Sequence, residues 1–153
     1  MIRTIAIVTL AACSSLAGAA PKSQAPAAPS ASTQWTLVGQ DVNNTKYYID
    51  EASIKRGDDK ILTGWLMADW AEPEKTRSGI VYRSRVEQRH FNCESAESTT
   101  VHQQLHPGNM MEGKPVLSAK SPVDFIPAQP GSVAESMLNH VCGGQQLIAV
   151  TGK

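Results

Sequence analysis

Residues 79–93 read GIVYRSRVEQRHFNC, with apolar and charged side chains in alternation. Ile80, Tyr82, Ser84 and Val86 share one parity; Arg83, Arg85, Glu87 and Arg89 share the other. A period of two over this length predicts a long β-strand with an apolar face inward and a charged face outward. On that reading Tyr82 and Val86 pack beneath a helix. Phe91 and Cys93 fall on the charged parity, so their burial requires a bulge or a strand end near His90. Shorter runs predict further strands at Trp35–Val38, at Lys46–Asp50 with Ser53-Ile54 as an extra piece, and at Ser98–Leu105. Ile61–Trp70 is apolar on both parities, as in a central strand covered on two sides, and Gly64 within it marks a bulge or a close backbone approach. Val116-Leu117 and Val123–Ile126 are short extended pieces.

The period then changes. Ser132 followed by Glu135 has the form of a capping box. Val133, Met137 and Val141 recur every fourth residue, with Ala134, Leu138 and Cys142 beside them, which gives a helix one apolar face. Gly143 is expected to stop that helix, and Gln145–Val150 to form a closing edge strand. The fold class is α+β: an antiparallel sheet of about six strands with one helix packed on it.

The first 34 residues follow a different pattern. A single Arg3 precedes the apolar run Ile5–Ala12, as in a secretory signal. Leu10-Ala11-Ala12-Cys13 looks like a bacterial lipobox, which predicts a signal over 1–12 and palmitate-type acylation of Cys13. Cleavage near Ala19 at the A-x-A site Ala17-Gly18-Ala19 is the alternative and would give a secreted or periplasmic chain. A third reading makes Cys13 an ordinary small residue of the apolar run. Residues 13–34 are mostly Ala, Pro and Ser and read as a tether reaching on the order of 25 Å. Residues 35–153 form the domain.

Three cysteines leave Cys93 and Cys142 as an even pair once Cys13 is lipidated or removed. In an exported protein that pair favours a disulfide, which would tie the helix to the end of the long strand; two buried free thiols are the alternative. The closed loop of about 50 residues would contribute about 4 kcal/mol in the chain-entropy account.

With 41% hydrophobic and 18% charged residues the chain can build a packed core. Fourteen basic residues against 14 acidic ones give no net charge, which argues against nucleic acid as a partner. Loss of Arg3 with the signal leaves the mature chain slightly acidic, so membrane association must come from the lipid anchor.

The order of features resembles the bacterial surface-adhesin protein E-like family. The carrying residues are Trp35, Tyr47-Tyr48-Ile49-Asp50 with Ser53-Ile54, the strand around Trp65, Cys93 after a long polar strand, and Pro130-Gly131-Ser132 leading a helix to Cys142. The resemblance spans about Trp35 to Gly143. It implies a non-enzymatic binding module that adheres to host extracellular-matrix proteins. A structural or housekeeping envelope component without a host ligand is the alternative. The expected location is the outer membrane, as a lipoprotein, and a homodimer stays open.

Candidate chemistry is sparse. Neither a G-x-S-x-G elbow nor a Gly-rich phosphate loop occurs, so neither an enzyme nor a cofactor is expected. His102 and His106 are spaced for zinc only on a helix; on a strand they stand about 13 Å apart, so no metal is expected. Arg83, Arg85 and Arg89 would share one strand face and hold an acidic or sulfated partner, or form a plain solvated face with Glu87. Arg56-Gly57-Asp58 spells the tripeptide that integrins recognise on exposed loops, and it equally suits a wet β-turn.

Intact-mass analysis of the native protein is expected to show a chain starting at Cys13 with a diacyl or triacyl increment. A mature chain starting at Ala20 without lipid would overturn the lipobox reading.

Overall fold

The structure, a computed structural model, describes residues 28–30, 32–57, 60–121 and 124–151. The signal and lipobox, Cys13 included, and Asp58 lie outside the described residues. Six strands follow one another as an antiparallel meander: β1 (Thr36–Gln40), β2 (Lys46–Arg56), β3 (Leu62–Lys75), β4 (Val81–Asn92), β5 (Glu97–His106) and β6 (Leu117–Lys120). β7 (Ile126–Pro127) continues the β6 edge by pairing with the start of β5. The helix α1 runs from Val133 to Thr151.

Local chemistry sets the turns. Asp41 Oδ1 accepts hydrogen bonds from the backbone N–H groups of Asn43 (2.9 Å) and Thr45 (3.0 Å), which closes the β1–β2 hairpin. Its Oδ2 accepts from the Tyr47 hydroxyl at 2.9 Å. The segment from Asp50 to Ser53 contains a bulge in β2 between Asp50 and Lys55. Ser53 Oγ donates to the Asp50 carbonyl at 2.6 Å and accepts from the Trp65 N–H at 2.8 Å, so a side chain replaces the ladder bond lost at the bulge. Opposite that bulge, a Cβ at Gly64 would touch Ile54 Cγ1 at 3.5 Å, which is the close approach expected there. β3 itself stays in register at Gly64.

The helix starts as its sequence requires. Ser132 Oγ accepts from the Glu135 N–H at 3.2 Å. The Glu135 carboxylate reaches one residue further back than in a capping box and accepts from the Gly131 N–H at 2.7 Å. Gly131 sits at φ 74°, where a side chain would be strained. The expected stop at Gly143 and the edge strand at Gln145–Val150 are not found, because α1 passes through Gly143-Gly144 to Thr151. Glycine costs a helix about 1 kcal/mol but does not forbid it, and the Gln, Leu and Ala that follow favour helix.

Two apolar clusters lie on opposite faces of the sheet. Ile49, Leu62, Leu66 and Phe91 pack with Met137, Leu138 and Val141 of α1. Trp65, Met67 and Val86 pack with Met111 on the other face, with Trp35 and Tyr48 against them. β3 feeds both, which explains its apolar residues on both parities. The disulfide Cys93–Cys142, with Cα atoms 5.8 Å apart, ties α1 to the residue after β4.

The assignment of the β4 faces is reversed from the expected one. Leu62 pairs with Phe91, Gly64 with Arg89, Leu66 with Glu87 and Ala68 with Arg85, and paired residues share a face. The charged parity therefore faces the helix side. Val86 is fully buried, but in the cluster away from α1, and Tyr82 is only half-buried. β4 keeps one parity against β3 from Phe91 to Ser84, and the irregularity expected near His90 occurs instead in the β4–β5 pairing, between Gln88 and Arg89, where Val101 of β5 is skipped.

Val86→Ala and Phe91→Ala each open a cavity in a different cluster. Urea unfolding is expected to give losses of about 2 kcal/mol and about 4 kcal/mol. The two sites lie about 16 Å apart along the strand, so the double variant should show the sum of the two losses. Strong non-additivity would contradict two separate clusters.

Candidate functional site

On the helix face, the β4 residues Arg85, Glu87 and Arg89 stand in a row. They line a cleft of about 290 Å³ together with Tyr47, Leu66 and the first residues of α1. Side-chain exposures are 34% for Arg85, 19% for Arg89 and 14% for Glu87, so this is a largely desolvated charge row rather than a solvated face. Arg85 Nε lies 2.8 Å from Glu87 Oε1, off the line of a hydrogen bond, and Arg89 Nε lies 3.9 Å from Glu87 Oε2. Both Nε atoms are buried without a hydrogen-bond partner. Hydroxyls of β5 complete the row: Arg89 Nη2 donates to Ser98 Oγ at 3.0 Å, and Thr100 Oγ1 donates to Glu87 Oε2 at 3.3 Å. Burial lowers the Arg89 pKa against the opposing pull of Glu87, and Arg85 lowers it further. One carboxylate thus serves two guanidiniums, and the cleft keeps a net positive charge.

The row is extended by an aromatic pair. The Arg85 guanidinium stands 5.4 Å from the Trp70 ring centre, and Trp70 meets Tyr82 edge to face at 5.3 Å. Arg83 belongs elsewhere. Its Nη1 donates to the Ala71 carbonyl at 2.7 Å, opposite the irregularity between Asp69 and Glu74 of β3. The three arginines expected on one face therefore divide into a cleft pair and a separate backbone contact. Tyr47 lines the cleft with its hydroxyl already given to Asp41, and burial together with Asp41 raises its pKa.

The opposite face carries residues that strand alternation alone did not single out. Trp65 lies there with Gln88, His90 and His102 on neighbouring strands, and His102 meets Trp65 edge to face at 6.0 Å. Burial lowers the His90 pKa, disfavouring the charged ring. His106 is buried on that face, with Nδ1 3.1 Å from the Gly113 carbonyl. The loop after it folds back over the sheet. Asp69 Oδ1 accepts from the Met110 N–H at 2.7 Å, Ser84 Oγ accepts from the Met111 N–H at 3.0 Å, and Met111 enters the cluster.

Arg56 and Gly57 are exposed at the β2–β3 hairpin, where the Gly57 N–H donates to the Ile61 carbonyl at 2.8 Å. Among the described residues no group of three or more His, Cys, Asp or Glu side chains is placed to hold a metal ion. Nor is any described helix long and apolar enough to cross a membrane.

A disulfide-tied helix on one face of an antiparallel meander, with a charged cleft and no cluster of metal ligands among the described residues, defines a small sheet-and-helix domain. The sequence profile of surface-adhesin protein E matches residues 35–143, and the chain belongs to that family. It is an adhesin-like binding protein. No curated protein sequence matches it. Among solved structures it is similar to protein E of Haemophilus influenzae in crystal form II, at 19% identity and a TM-score of 0.55, over 79% of this chain and 95% of that one. It is also similar to protein E from non-typeable Haemophilus influenzae, at 18% identity and a TM-score of 0.53, over 81% of this chain and 84% of that one. At such identities the likeness speaks for the fold alone.

Glu87 is the hub of the charged row. Glu87→Gln leaves two desolvated guanidiniums side by side and is expected to cost about 2–4 kcal/mol of stability. Arg85→Gln, at the more exposed end, should cost clearly less. The reverse order in urea unfolding would show that Glu87 does not hold the row together.

Proposed function

We propose that the protein is an envelope lipoprotein, anchored through Cys13, whose domain captures an acidic or sulfated segment of a host matrix protein. Adhesion to the host is the role that family membership suggests. The observation that carries the ligand class is the Arg85–Arg89 pair, half-buried in an open cleft with one carboxylate between them. A desolvated guanidinium pair binds carboxylate or sulfate more strongly than a wet surface does, because the local dielectric is lower and the planar heads offer paired donors. The Ala/Pro-rich residues 13–34 would carry the domain away from the bilayer. Arg83, whose Nη1 donates to the Ala71 carbonyl, is not part of the proposed ligand site. The Arg56-Gly57-Asp58 tripeptide is a second contact for a partner, and its described residues Arg56 and Gly57 line a cleft on the sheet face away from α1. The second reading, a structural envelope component, draws support from the bonds of Arg89 and Glu87 to β5 hydroxyls, which make the charged row a strand clamp as well.

Solid-phase capture of purified matrix proteins separates the two. The wild-type chain is expected to bind with an affinity that falls steeply as salt rises. The combined variant Arg85→Gln, Glu87→Gln, Arg89→Gln removes the charges without stranding one. It should fold and bind about tenfold or more weakly, the loss of one charge-assisted contact. Equal capture by the variant would remove the cleft from the function, and no capture by either protein would favour the structural role.

A further inference from the structure

The face of the sheet away from α1 is covered at one end by Met111 and its loop. Further along, two clefts of about 460 Å³ and about 440 Å³ open on this face, and both have Trp65 and Gln88 in their walls. Pro29 lines the first and Ala28 the second, so the N-terminal segment passes between them at Trp65. It then turns, with the Thr33 N–H donating to the Ser30 carbonyl at 3.0 Å, and Trp35 packs on the cluster that contains Trp65. Residues 28–30 have no strand partner. Trp65 is nevertheless only 4% exposed.

We propose that this face is a docking groove for an extended, proline-bearing polypeptide segment, and that the chain's own Ala28–Pro29 occupies it. The chemistry of the groove suits that occupant. An extended proline-bearing segment makes no internal hydrogen bonds, so its carbonyls need outside donors, and its rings need a flat apolar surface. Trp65 supplies the surface. Gln88 and His90 on β4 bring side-chain N–H groups beside it, and His102 on β5, whose Nε2 lies 3.1 Å from Ser118 Oγ, adds an edge-on ring to the wall. Pro29 is the partly buried residue of the segment, Ala28 and Ser30 stay exposed beside it, and none of the three carries a charge, so no ion is buried. The tether is thereby more than a spacer. Its last residues fix how the domain leaves the tether, and a protein partner with a similar segment must displace them. Apparent affinity for such a partner is reduced by the fraction of molecules in which the groove is already filled. This inference concerns the face opposite the arginine cleft and stands independently of the ligand class proposed there.

The test uses the detergent-solubilised full chain with Trp35→Phe and Trp70→Phe, which leaves Trp65 as the only indole. Replacing residues 21–30 by Gly and Ser at equal length should move Trp65 emission to longer wavelength and raise its quenching by acrylamide. A synthetic peptide with the sequence of residues 21–34 should then reverse both effects saturably, while a Gly/Ser peptide of equal length should not. The chain with its native segment should respond to the same peptide only at much higher concentration. Indole N–H resonances in the chain with all three tryptophans give the same readout without touching the core. Unchanged Trp65 signals after the replacement would overturn the proposal, as would equal reversal by the Gly/Ser peptide. Dimerisation that disappears with the replacement would overturn the intramolecular placement.

Discussion

The Cys93–Cys142 bond decides which face of this sheet is inside. It holds α1 to the end of β4 with the two Cα atoms 5.8 Å apart, and Phe91, two residues before Cys93, packs under the helix. A strand has a side-chain period of two, so once one position faces the helix its whole parity follows. Arg89, Glu87 and Arg85 are carried inward with Phe91 because the β3–β4 register runs without a break between them. The charges are tolerated there for three reasons. Glu87 stands between the two guanidiniums, Ser98 of β5 accepts from Arg89 while Thr100 donates to Glu87, and the cleft beside the start of α1 leaves the row partly open to water.

The same alternation gives the sheet a second interior. Trp65, Met67 and Val86 cannot turn toward α1 without taking Leu62 and Leu66 out of its core. They are covered instead by pieces from outside the strand ladder. Met111 comes from the loop after β5, where backbone bonds to Asp69 and Ser84 hold it down. Trp35 comes from the segment before β1. A sheet with one helix therefore buries apolar surface on both sides, and the loop at His106–Pro115 takes part in the core. The two faces offer different chemistry. One is a cationic cleft beside a helix; the other is an aromatic groove crossed by the chain's own N-terminal segment.

The Asp50-x-x-Ser53 spacing has a structural reason. Ser53 closes the bulge in β2 by bonding the Asp50 carbonyl and the Trp65 N–H, which sets Trp65 in place on the open face. A short polar motif in one strand thus positions an aromatic residue of the next.

Much of this was legible from local chemistry. Period two marked the long strands, the run Ile61–Trp70 announced a strand covered on both sides, Ser132 and Glu135 marked the helix start, and cysteine parity together with the expectation of export gave the disulfide. These are properties of neighbouring residues or of counts, so the sequence alone determines them. The orientation of β4 was not of that kind. Alternation separates two faces without saying which one meets the helix, and charge favoured the wrong answer. Phe91 and Cys93 on the charged parity were the signal that would have corrected it, because a strand end bonded to the buried side of a helix must turn that parity inward. The continuation of α1 past Gly143-Gly144 also escaped local reading, since a glycine pair is compatible with either a stop or a weakened helix. The cleft and the groove exist only because β3, β4 and β5 bring residues from separate strands onto shared faces. Strand register set at long range, and not any local motif, assembled them.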